Sequence, residues 1–150
     1  MNVAAQNDKQ YFTAEEANRM LPLVRVIVAD IVKIGDVRER QQRLNRIRRE
    51  RGTETRSEDN LYRQELEQIE EEIAKDVERL RDFFEELAQL GVELKDISLG
   101  LVDFPTLIDG REACLCWKLG EEEVMFWHEV DAGFGGLQSL LESSVPGDDD

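Results

Sequence analysis

The chain has 150 residues, with 34 Asp and Glu against 19 Lys and Arg, and so a formal charge of −15 at pH 7. That length suits one ordinary domain, and 41% hydrophobic residues exceed what a disordered acidic tail carries. No run approaches the ~18 apolar residues of a membrane span, and the negative charge argues against nucleic acid and anionic membranes as partners.

The first ten residues lack both the basic and the apolar region of a secretory leader. Two cysteines two positions apart make no disulfide framework, so a cytoplasmic protein is expected. Residues 1–10 are polar and read as a disordered start, 11–141 as one domain, and 142–150 as a disordered acidic tail. Thr13 and Glu16 have the spacing of a capping box, in which each side chain accepts from the other's backbone N–H. Pro22 removes a donor and pushes Leu21 away from helical angles, which predicts a short helix over 14–20 and a second over 22–51. Val24, Ile27, Ile31 and Ile34 share one face of that second helix; past Gly35 the stripe thins to Val37, Leu44 and Ile47. Gly52 ends it, Ser57 caps a third helix over 58–90, and Gly91 stops that one.

Charge is unevenly spread. Residues 36–57 sum to +4, residues 58–86 to −8 and residues 87–150 to −11. The arginine run from Arg38 to Arg56 lacks aromatic residues for stacking on bases. It is better explained by pairing with the acidic third helix than by RNA. Two helices of roughly 30 residues are about 45 Å long, against a radius of gyration near 15 Å for a 150-residue domain. The hairpin they form must project from the body or pack against a second copy, and homodimerisation through it is the plain expectation.

After Gly91 the apolar pattern turns from helical to alternating. Asp109-Gly110 between Ile108 and Arg111 is a two-residue hairpin signal, which pairs Phe104 with Leu115 and Val102 with Trp117. A second reversal over Gly120–Glu123 sets Leu119 opposite Val124, Trp117 opposite Phe126 and Leu115 opposite His128. Strands are expected over 99–105, 111–119 and 124–130, with Pro105 marking the first as an edge. In this register Trp117 and His128 face the core. Asp103, Glu112, Cys114, Cys116, Lys118, Trp127 and Glu129 face the other way.

Phe12-Thr13, Leu21-Pro22, Asp103-Phe104-Pro105, Asp109-Gly110-Arg111, Cys116-Trp117-Lys118-Leu119-Gly120, Trp127-His128-Glu129 and Gly133-Phe134 carry a resemblance. From about Tyr11 to Gln138 the chain resembles the bacterial domain of unknown function 2203 family. The resemblance implies an uncharacterised bacterial cytoplasmic protein and brings no cofactor with it. Leu137-Gln138 departs from the basic residue expected of relatives after Gly136.

His128, with Glu129 and Asp131 nearby and Asp103 or Glu112 to complete a set, could ligate a divalent metal. Neighbouring strand residues point to opposite faces, however, so His128 and Glu129 cannot converge without a bulge, and a hydrogen-bonded structural histidine is the commoner case. Cys114 and Cys116 read as inert thiols on the face away from His128. Asp103, Lys118, Trp127 and Glu129 could line a ligand pocket, with Arg111 clamping a carboxylate; the competing reading is charges rimming a packed face.

The expected architecture is α+β, a long antiparallel helical hairpin packed on a three-stranded antiparallel sheet. The leading functional expectation is a non-catalytic interaction or assembly module that homodimerises through the hairpin. The alternative is a small-molecule or metal-binding protein, possibly an enzyme, with a site around Asp103, Arg111, Trp127, His128 and Glu129.

Overall fold

The computed structural model describes residues 9–51, 58–132 and 136–140. Expectations made for residues 1–8, Gly52, Ser57, 133–135 and the acidic tail lie outside them. The described chain is α+β, in the order α1 (Ala14–Ile34), α2 (Val37–Arg51), α3 (Glu58–Leu90), then β1 (Glu93–Asp96), β2 (Leu101–Ile108), β3 (Arg111–Lys118), β4 (Phe126–Glu129) and β5 (Gln138–Ser139).

The capping box is present: Thr13 Oγ1 accepts from Glu16 N and Glu16 Oε1 from Thr13 N, both at 3.0 Å. Pro22 does not break the helix it opens. It sits inside α1 on the exposed side, where the Asn18 carbonyl left without a helical donor can turn to water. Ala17, Leu21, Val24, Ile27, Val28 and Ile31 are buried along the other side of α1, and burial of that continuous stripe overrides the local cost of proline.

The break falls at Gly35 instead, whose φ of 80° leaves the helical path. Asp36 then accepts from Arg38 N at 3.0 Å and opens α2, as an N-cap residue does. The helices are therefore not a plain two-rod hairpin: α3 keeps 33 residues, about 50 Å, while α1 and α2 pack along successive parts of it. Arg40 meets Asp76 and Arg48 meets Glu70, each at 2.9 Å, so α2 runs antiparallel to the first half of α3. Between these helices Leu44, Leu66 and Ile73 form a small separate core.

The sheet has five strands, not three, in a simple antiparallel meander ordered β1-β2-β3-β4-β5. Two strands thus extend the expected sheet, β1 before it and the short β5 after it. β2 is consequently not an edge along its whole length, because β1 covers Leu101–Asp103. Pro105 lies beyond the end of β1, where its carbonyl accepts from Phe12 N at 2.7 Å, so its missing N–H faces a place with no ladder to complete.

The β2–β3 register is the expected one, with Ile108 opposite Arg111, Phe104 opposite Leu115 and Val102 opposite Trp117. Asp109 and Gly110 both take positive φ, 54° and 80°, as a type I′ turn requires. The β3–β4 register is one residue away from expectation: Leu115 stands opposite Trp127 and Cys114 opposite His128. A slip of one inverts the strand. Trp117 and Trp127 therefore share the core face with Val102, Phe104 and Leu115, under α1, rather than facing opposite sides. His128 moves to the other face.

Candidate metal centre

The inverted β4 gathers Asp103, Cys114, Cys116 and His128 on the sheet face turned away from α1. Asp103 pairs across the ladder with Cys116, and Cys114 with His128, so three adjacent strands converge on one point. Asp103 and His128 are 2% and 4% exposed, and Cys116 is also buried; Cys114 is partly buried. A cavity of about 470 Å³ opens over them, with Lys9, Glu93, Lys95 and Glu112 among the residues at its wall.

One ligand atom from each of Asp103, Cys114 and His128 lies within 4.8 Å of the others, the one such grouping of three among the described residues. The imidazole is oriented from behind. Its Nδ1 lies 2.8 Å from the Glu129 carbonyl oxygen, which can only accept, so Nδ1 carries the hydrogen. Nε2 is thereby aimed at Asp103 Oδ2, 3.1 Å away. A carboxylate and an imidazole lone pair do not face each other at that distance without a cation between them, either a proton or a metal ion. A tetrahedral ion with bonds near 2.0–2.1 Å to nitrogen and oxygen sets those atoms about 3.3 Å apart, close to the observed separation.

The second carboxylate oxygen, Asp103 Oδ1, is buried without a nitrogen or hydroxyl donor among the described residues, and only the weakly donating Cys114 and Cys116 thiols lie beside the carboxylate. Such an atom is costly unless something positive engages it. The thiols respond to the same surroundings. Burial, and then the Asp103 charge, pushes Cys114 up to about 11 and Cys116 up to about 12, so both are protonated at neutral pH. A coordinating metal deprotonates a thiol outright and would reverse that for Cys114.

The other residues singled out from the sequence lie elsewhere. Arg111 and Glu129 face each other at 3.9 Å, and with Trp127 and Asp131 they line a separate, smaller cavity of about 190 Å³. Lys118 ends β3, where its backbone N–H donates to Glu121 Oε1, and it lines neither cavity. Glu112, at the wall of the larger cavity, is held by the Tyr11 hydroxyl and by Lys9. Glu129 contributes its backbone carbonyl, not its carboxylate, to the histidine's setting.

Sequence reasoning set Cys114 apart from His128 because its β4 register was one residue off. No spacing signal could have restored it, since the three residues sit 11 and 14 positions apart on separate strands.

The chain matches a family of uncharacterised conserved proteins, DUF2203, over residues 10–140. It belongs to that family. The match spans all eight elements, leaves only Lys9 of the described residues outside it, and includes Asp103, Cys114 and His128. No curated protein and no solved structure matches the chain. Membership in DUF2203 thus names a relationship and leaves the chemistry to be argued from the residues.

Proposed function

We propose that this DUF2203 protein binds one divalent first-row metal ion, with zinc the best fit, through Asp103, Cys114 and His128 Nε2. The observation that carries the reading is the aim of His128: a backbone carbonyl fixes Nδ1 as the hydrogen-bearing nitrogen and leaves Nε2 against a buried carboxylate. A mixed oxygen, sulfur and nitrogen set suits zinc, and three protein ligands leave a fourth position free, as in zinc sites that present a water or a substrate. The cavity over the trio gives that position room.

The test is metal analysis of protein purified without a histidine tag, together with calorimetric titration of zinc into chelator-treated protein. One ion per chain is expected, with His128→Ala and Asp103→Ala each weakening binding by at least about a hundredfold. Absence of binding, or equal binding by both variants, overturns the proposal. The expected assembly role rests on the helices and not on this site.

A further inference from the structure

We infer that one flank of the α2–α3 pair is a docking face for a second copy of this chain. The pair needs support. Leu80 and Leu87 in the second half of α3 belong to the main core, but where α2 lies against the first half of α3 the described buried apolar side chains are Leu44, Leu66 and Ile73, and helices this thinly packed are marginal alone.

The two interhelical ion pairs define two flanks, Arg40 with Asp76 on one and Arg48 with Glu70 on the other. Stepping about 100° per residue from these anchors places Arg43 and Ile47 on the Arg40 side of α2. The same step places Leu61, Glu65, Ile69 and Glu72 on the Asp76 side of α3. Leu61 and Ile69 are 70% and 43% exposed, and they are the large exposed apolar residues of α2 and the first half of α3 among those described, the exposed Phe84 lying in the second half. The opposite flank is polar, with Gln41 and Asn45 hydrogen-bonded to each other at its surface.

Charge decides what covers the apolar flank. Arg43, Glu65 and Glu72 make no ion pair among the described residues, although each lies beside Ile47 or Ile69. A basic partner would suit the two glutamates and repel Arg43, and an acidic partner the reverse. A second copy related by a two-fold axis suits both, since Arg43 of each protomer meets the glutamates of the other while Ile69 is buried between them. The result is an antiparallel four-helix layer.

Sedimentation equilibrium of the full chain at tens of micromolar should give twice the 17.3 kDa chain mass. Ile69→Glu should raise the dissociation constant by at least about a hundredfold, and Arg43→Glu by about tenfold, both with unchanged far-UV circular dichroism. Mixing Arg43→Glu protein with Glu65→Lys/Glu72→Lys protein should restore association as a heterodimer. Should Ile69→Glu unfold, the exposed Arg43→Glu and its rescue decide the matter alone. A wild-type mass of one chain, or a dimer that neither substitution weakens, overturns the inference. Neither result bears on the metal proposal, which rests on the other side of the molecule's sheet.

Discussion

Asp103 Oδ2 and His128 Nε2 lie 3.1 Å apart although their strands are not neighbours, because β3 runs between β2 and β4. Their contact crosses over the backbone of Cys114–Cys116, and both side chains are almost wholly withdrawn from solvent. His128→Ala removes one side of this pair and leaves a buried carboxylate alone, which should cost about 3 kcal/mol or more. Urea denaturation of chelator-treated protein checks it. The double variant Asp103→Val/His128→Leu should be less destabilised than the single one, because no charge remains to be stranded.

The thiols should be sluggish. With Cys114 raised to about 11 and Cys116 to about 12, neither supplies much thiolate at pH 8. A shift from about 9 to about 11 lowers the reactive fraction about a hundredfold, before burial adds its own barrier. Reaction of the metal-free folded protein with a disulfide reagent should therefore be at least that much slower than for free cysteine. The rate should keep rising with pH past 9, where free cysteine levels off. A plateau below pH 9 would contradict the assigned surroundings.

Pro22 offers a way to stabilise the protein. It lies on the exposed side of α1 and withholds one helical hydrogen bond. Pro22→Ala restores a donor to the Asn18 carbonyl without disturbing the core, offset by a more flexible unfolded chain. A net gain of about 1–2 kcal/mol is expected in chemical denaturation.

Gly100 is the opposite case. Its φ is +65°, and an added Cβ would lie 2.8 Å from Leu119 Cβ and 3.0 Å from Val28 Cγ1. Its carbonyl also accepts from Leu119 N at 3.0 Å, which holds the approach close. Gly100→Ala should cost about 2–4 kcal/mol by combining left-handed strain with overpacking. A midpoint within error of wild type would refute the tight packing.

The legible parts of the fold were those where local chemistry and burial agree. Asp109-Gly110 fixes both the turn and the register beyond it, and the Thr13–Glu16 box fixes where α1 starts. Pro22 and β4 were illegible for different reasons. At Pro22 a strong local rule loses to a buried stripe that continues on both sides of it. At β4 the run Val124-Met125-Phe126-Trp127 is apolar at every position, so alternation gives no register.

The reversal before β4 also leaves the ladder. Val124 N bonds the Asn18 side chain at 2.7 Å, and Trp117 Nε1 bonds the Glu121 carbonyl at 2.9 Å. Those tertiary bonds set where β4 begins. Val92 and Leu94 alternate around the start of β1, but two apolar positions are too few to mark a strand, and two-residue β5 carries still less. The candidate centre inherits the β4 error: the expected register sets both Asp103 and Cys114 on the face away from His128, and the observed one brings all three together.

The antiparallel meander gives each of the three central strands one donor atom for the centre. An ion seated there would act as a rivet through β2, β3 and β4, joined otherwise by ladder bonds and short reversals. Loading would then be felt as mechanical and thermal toughness of the whole β layer, and a chelator would loosen it.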